Sequence, residues 1–289
     1  MTEKQNAFIK LHLSVLLAGF TGLFGKLITL NEVNIVWYRM FFASVFLLLL
    51  KGLPKVTSRK LLHLSLAGAL LGFHWVLFYS SIKLSNISIG VICYSLVGFF
   101  TALIEPAVFH KRVSFLEILF SLITVLGLLC IFSFDSRYRL GISVGVVSSF
   151  VAALYGTLNK KISADVSSST TLLYSMMGGL VFLSCIIPLY LLVFPSSQPV
   201  IVFPQGNNLY WLLCLSLVCT VGLYLLQIQS LKHLSAFTVN LTYNLEPCYT
   251  ILIAFLFFNE ARELNFSFYI GVSLIIISVM LQTWRASRK

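Results

Sequence analysis

Apolar residues run through this chain in long blocks separated by short polar stretches. A helix rises about 1.5 Å per residue, so a block of roughly 20 residues crosses the ~30 Å hydrocarbon core of a bilayer. Ten such blocks fall at 9–29, 34–51, 61–81, 87–109, 115–133, 140–159, 169–194, 208–231, 236–258 and 265–283. They predict an all-α integral membrane protein of ten transmembrane helices joined by short connections. The longest connection, FPSSQPVIVFPQGNN after the seventh block, carries Pro195, Pro199 and Pro204 and no charge; it reads as an extended surface loop. The first block follows Lys4 and Lys10, holds Gly19, Gly22 and Gly25, and leads directly into further spans. Its length argues for a retained helix over a cleaved signal.

The polar positions inside the blocks repeat. Residues 81–115 laid over 230–264, at a shift of 149, match Ser81 with Ser230, Lys83 with Lys232, Tyr94 with Tyr243, Leu96 with Leu245, Thr101 with Thr250 and Phe109 with Phe258. A weaker echo pairs LFGKL at 23–27 with LYGTL at 154–158. Two five-helix repeats are therefore expected, at 1–138 and 139–289. Five is odd, so the second must enter the membrane inverted relative to the first. The charges agree: Lys111 and Arg112 follow the fourth block, whereas the matching NEARE at 259–263 is net acidic. Inverted repeats are a common plan of secondary transporters, with the solute near the midplane where the halves meet.

Composition narrows the function further. At 58% hydrophobic and 10% charged, the chain departs from soluble globular domains, which carry about 45–50% and 25%. The net charge of +11 would suit nucleic acid if Lys and Arg clustered on one surface, but they stand singly between apolar runs. Fourteen of the twenty lie at the termini and in connections 2–3, 4–5, 6–7 and 8–9, against four (Lys83, Arg137, Arg139, Arg262) in the opposite connections. The positive-inside rule makes both termini cytoplasmic. The six cysteines all sit within apolar runs and read as small hydrophobes. No metal-ligand spacing, nucleophile–base pair or Walker motif occurs, so neither an enzyme nor a cofactor or metal site is expected.

Polar groups at membrane depth are costly and mark function by default. In the ninth block Asn240, Tyr243, Asn244, Pro247 and Thr250 recur at spacings of three and four, a polar stripe on one helical face. The equivalent face of the fourth block presents Tyr94, Ser95, Gly98 and Thr101. The third block offers His74, Trp75, Phe78 and Tyr79, and the repeat pairs Trp75 with Tyr224 and Phe78 with Gln227. Tyr94, Ser95, Trp75, Tyr224, Gln227, Asn240, Tyr243 and Asn244 are thus the expected solute-binding residues, between spans 3, 4, 8 and 9. Glu246 precedes Pro247, whose ring loosens the helix; it can bind a cationic group, carry a coupling proton, or hold helices together. Arg39 can clamp a solute carboxylate, lock the outer gate against an acid such as Glu32, or snorkel. His74 suits either a structural hydrogen bond or a proton relay. Glu105, near Lys111 and Arg112, reads as an electrostatic anchor or gate on the cytoplasmic side.

The ten spans, the inverted repeat, WYR at 37–39 and NLEPCYTILIAFLFFNE at 244–260 resemble the EamA-type branch of the drug/metabolite transporter superfamily. Glu260 fits that pattern; the first half departs from it with HKR at 110–112. The resemblance covers essentially the whole chain. It implies a bacterial inner-membrane carrier, most often an exporter of amino acids or related small metabolites, working by alternating access around a central cavity. The partners expected are a small solute and membrane lipid, not nucleic acid; monomer and homodimer both stay open. The competing reading is a channel or a structural membrane protein without active transport.

Overall fold

The computed structural model describes residues 2–85, 87–131, 139–193, 202–246 and 249–250, with part of 270–284. Its regular structure is helical, with no strand among the described residues. In chain order the helices are α1 (Glu3–Leu27), α2 (Glu32–Lys51), α3 (Ser58–Leu84), α4 (Ile87–Tyr94), α5 (Val97–Phe109) and α6 (Phe115–Ile131). They continue as α7 (Arg139–Ile162), α8 (Ser168–Val193), α9 (Asn207–Ser216), α10 (Leu223–Leu231) and α11 (Ala236–Thr242). Among the described residues, α1, α2, α3, α7, α8 and the continuous rod from α9 to α10 are each long and apolar enough to cross a bilayer; α5 and part of α6 are shorter apolar helices. This is a multi-pass membrane architecture. The expected ninth span beyond Thr250, most of the tenth, the NEARE connection and much of the loop after α8 lie outside the described residues.

Short polar side chains start these helices by accepting from amides that have no partner in the first turn. Thr2 and Gln5 form a reciprocal capping box on α1. Asn31 accepts from Asn34 N at 2.8 Å to cap α2, and Ser235 accepts from Thr238 N at 2.9 Å to cap α11. Gly52, at φ 63°, ends α2 in a conformation that costs other residues strain.

One of the expected continuous spans is broken, and another is distorted without a break. The fourth separates into α4 and α5 at Ser95–Leu96, and the eighth carries a π-helical segment, Leu217–Gly222, between α9 and α10. After α11 the chain tightens into a 3-10 turn, Tyr243–Leu245, which falls 149 residues after the α4–α5 break. Irregular backbone at membrane depth needs other partners for its polar groups. The Cys93 carbonyl at the first break accepts from Ser149 Oγ of α7 at 2.6 Å as well as from Leu96 N at 3.1 Å. The Cys219 carbonyl in the π-helical segment accepts from Arg39 of α2 at 3.0 Å.

Packing centres on α3, which lies between α7 and α8, while α2 packs on α8 and α1 on α10. The α3–α8 pair approaches backbone to backbone: a Cβ on Gly68 would lie 1.8 Å from the Ser175 carbonyl oxygen, and one on Gly178 would lie 2.3 Å from Ser65 Cα. Small residues permit such approach where hydrophobic burial supplies no drive between helices. Hydrogen bonds lace the two ends of the bundle separately. At one end Lys83 Nζ donates to the Leu30 carbonyl at 2.9 Å, Ser81 Oγ to Gly141 at 2.7 Å, and Thr29 N to Asn208 Oδ1 at 3.0 Å. At the other, Lys232 Nζ donates to Val166 at 2.8 Å, Ser230 Oγ to Ala7 at 2.9 Å, and Lys60 pairs with Asp165. Lys83 and Lys232 are 149 residues apart, as are Ser81 and Ser230; each pair makes the same kind of bond at opposite ends.

Candidate functional site

Between these ends a small cavity of about 30 Å³ is walled by Ala18 and Thr21 of α1, Arg39 of α2, His74, Trp75 and Phe78 of α3, Tyr94 of α4, Leu223 and Tyr224 of α10, and Tyr243 and Glu246 after α11. Seven of the residues singled out by pattern and repeat therefore meet Glu246 in one place: Arg39, His74, Trp75, Phe78, Tyr94, Tyr224 and Tyr243. The site also draws on α1 and α2, which the expected set of spans 3, 4, 8 and 9 did not include.

Arg39 is only 3% exposed. Its Nε donates to Thr220 Oγ1 at 2.5 Å, Nη2 to the Cys219 carbonyl at 3.0 Å and Nη1 to Tyr79 Oη at 3.5 Å. Its guanidinium carbon stands 3.8 Å over the Trp75 ring, a cation–π contact. The sequence left open that Arg39 snorkels outward or pairs with Glu32; here it turns to the centre, and Glu32 pairs with Lys83 at 3.0 Å. The physical reason is the π-helical segment. Its Cys219 carbonyl offers a buried acceptor that a planar, multi-donor guanidinium satisfies better than water at a distant interface.

Aromatic groups form the rest of the wall. Trp75 Nε1 donates to Tyr224 Oη at 3.1 Å, and these two residues are 149 positions apart. Tyr94 and Tyr243, another pair at that spacing, meet edge to face with centroids 6.5 Å apart. Tyr243 Oη donates to Ser14 Oγ at 3.1 Å. His74 Nδ1 lies 3.0 Å from the Ser148 carbonyl oxygen and 2.8 Å from its hydroxyl. A carbonyl only accepts, so Nδ1 carries a proton and the ring is held by its hydrogen bond to Ser148.

Glu246 is 4% exposed and faces the cavity with Thr21 beside it. Among the described residues it forms no ion pair with Arg39; the two side chains line the same cavity without an ion-pair contact. The cavity thus brings a guanidinium and a carboxyl group to one wall, both buried at a depth where polar groups are costly.

The other expected residues sit elsewhere. Asn240 Nδ2 donates to Thr101 Oγ1 at 2.8 Å, and its amide packs where a Cβ on Gly156 would be. Ser95 Oγ and Gln227 Oε1 are buried with no hydrogen-bond partner among the described residues, though neither lines the cavity. Glu105 is remote from it: Oε2 accepts from Phe237 N at 2.7 Å, Oε1 from Ala236 N at 3.4 Å, and Lys111 Nζ is 3.7 Å away. It anchors the positive end of α11. Pro247 and the side chain of Asn244 lie outside the described residues. Thr21, Thr220 and the Cys219 carbonyl escaped the sequence reading. A lone Thr in an apolar helix is ordinary, and no residue pattern marks which carbonyl a π-helical segment frees.

The family model of the EamA-like transporter family matches residues 6–133 and 139–284. The chain belongs to the EamA-like transporter family. An uncharacterized transporter, YxxF, of Bacillus subtilis (strain 168) is 22% identical over 99% of this chain and 92% of its own. An uncharacterized transporter of Clostridium kluyveri (strain ATCC 8527 / DSM 555 / NBRC 12016 / NCIMB 10680 / K1) is also 22% identical, over 78% of this chain and 73% of its own. A solved crystal structure superposes with a TM-score of 0.73 at 15% identity, covering 98% of each chain, which shows a shared fold alone. This EamA-like transporter therefore has a membrane setting and a small-molecule solute as its partner.

Proposed function

We propose that this EamA-like transporter exports a small zwitterionic metabolite, an amino acid or related compound, across the bacterial inner membrane by alternating access. In this reading, ten spans form two inverted five-helix repeats, 1–138 and 139–289, with both termini cytoplasmic. The observation that carries it is the pairing of buried Arg39 and buried Glu246 on one aromatic-walled cavity. Arg39 meets a carboxylate with geometry Lys lacks, and Glu246 meets an ammonium.

Several features support the architecture. The two family matches part at the expected repeat boundary. Backbone breaks fall at equivalent positions beside the cavity, as in transporters whose discontinuous helices hold the solute. Lys60, Lys160, Lys161 and Lys232 gather at the bundle end that also holds Ala7, in keeping with a cytoplasmic amino terminus. A cavity of about 30 Å³ has room for roughly two waters. A metabolite enters only if the walls part, which favours a moving carrier over a fixed pore. Ser95 Oγ and Gln227 Oε1, buried without a hydrogen-bond partner among the described residues, are proposed to join the widened cavity, and Asn240 and Asn244 complete the proposed solute-binding set. Glu246, beside Pro247, is the proposed proton-coupling group, and His74 and Glu105 are proposed to position and gate.

The test is counterflow in proteoliposomes preloaded with a panel of unlabelled amino acids, using the matching radiolabelled compounds outside. At least one zwitterion should exchange, and R39Q and E246Q should each lower that exchange by about tenfold or more, the effect of losing one charge-assisted bond of roughly 1.5–3 kcal/mol. Wild-type exchange that persists in both variants sinks the assignment of the site. A pH-gradient dependence that E246Q leaves intact removes the coupling role alone.

A further inference from the structure

The helix that presents His74, Trp75 and Phe78 to the central cavity has a second face. On it α2, α3, α7 and α8 leave a separate groove of about 490 Å³, lined by apolar side chains such as Phe73, Leu77, Phe182 and Ile186 and ending at Glu32 and Lys83. Its volume is in the range of small-molecule sites, about 300–1,000 Å³. Phe73 at its edge is 40% exposed, so the groove opens sideways onto the hydrocarbon.

Three observations define what fits. The groove descends along α3 from Lys83 to Phe73, ten residues or about 15 Å, which is half of the ~30 Å hydrocarbon thickness. Its shape is therefore that of one leaflet. Its polar end lies where α2 begins and α3 ends, at the depth of lipid headgroups. That end carries one charge of each sign, Lys83 Nζ at 3.0 Å from Glu32 Oε2, with 37% of the Lys83 side chain and 16% of the Glu32 side chain exposed. A polar solute does not suit the apolar slot, and a bare hydrocarbon does not suit the charged end.

We propose that this groove binds one acyl chain of a zwitterionic phospholipid, with the headgroup phosphate toward Lys83 and its ammonium toward Glu32. An anionic headgroup meets the Glu32 carboxylate with the same sign and binds less well. Because the walls come from α2 and α3 on one side and α7 and α8 on the other, the bound chain fills the seam between the early and late parts of the sequence.

The experiment is native mass spectrometry of the detergent-purified full chain with dioleoyl phosphatidylethanolamine or dioleoyl phosphatidylglycerol at equal concentration. A one-lipid adduct should form about tenfold more readily with the ethanolamine lipid. I186W, which fills the slot, should remove most of that adduct. The double variant E32Q/K83Q leaves the apolar wall intact and should equalise the two lipids, so the proposal stays open to test even if I186W does not fold. Equal adducts with both lipids in the wild-type protein overturn the headgroup assignment. Adducts unchanged in folded I186W overturn the site, and a preference unchanged in E32Q/K83Q overturns the role of the charged pair. None of these readouts depends on transport, so failure of the solute assignment and failure of the lipid site are separately visible.

Discussion

Arg39 donates to three partners on two helices, α3 and the π-helical segment, while its flat face covers Trp75. That versatility belongs to the guanidinium: a lysine at this position supplies one charge but cannot span Thr220, Cys219 and Tyr79 together. The same residue scale governs the α3–α8 seam, where space rather than charge decides. G68A should lower stability by about 1–3 kcal/mol or more, because its methyl would collide with the Ser175 carbonyl at 1.8 Å and backbone cannot yield as a side-chain tip can. Thermal unfolding in detergent measures this. G222A is the matched comparison, since its nearest contact would be an ordinary 3.7 Å, and it should unfold close to wild type. Equal unfolding temperatures for the two would show that the seam is looser than described.

At the scale of elements, helix ends and breaks rely on neighbours to complete them. The start of α11 takes its partners from two sources, Ser235 within its own chain segment and Glu105 from α5. E105A removes the acceptor for the Ala236 and Phe237 amides and should cost about 1–2 kcal/mol, the range of a lost helix cap. E105Q keeps a carbonyl acceptor without the charge and should cost less. Chemical or thermal unfolding of both variants checks the order; an E105A protein as stable as wild type would deny the anchor. The α4–α5 break and the π-helical segment follow the same logic, with Ser149 and Arg39 supplying what the missing helical bonds do not.

At the scale of the molecule, the ion pair of Lys60 with Asp165 joins α3 to the turn after α7, and both side chains are substantially exposed. Exposed pairs contribute little to stability, so this one serves better as a probe of motion than as a clasp. If the two parts of the chain rock against each other, a disulfide between K60C and D165C should stop transport, and a reducing agent should restore it. Exchange that continues at the wild-type rate in the fully cross-linked protein would rule out opening at that end.

The order of the apolar blocks decided the all-helical membrane architecture, since each block must satisfy its own backbone in lipid and only a helix of that length does so. The polar spacing of 149 marks Trp75, Tyr94, Tyr224 and Tyr243 in the sequence, and these four line one cavity, because residues that face a shared site recur on matching helix faces. Tertiary structure decided the rest. Whether Arg39 faced lipid headgroups, Glu32 or the centre depended on a π-helical carbonyl from a helix 180 residues away. Glu105 is readable as an anchor from Lys111 and Arg112 nearby, but its partners, the amides of α11, are not, nor is the Thr101 hydroxyl that Asn240 meets. Local pattern sets which face of a helix is polar, but the partner that a buried polar group finds is a property of how distant helices pack.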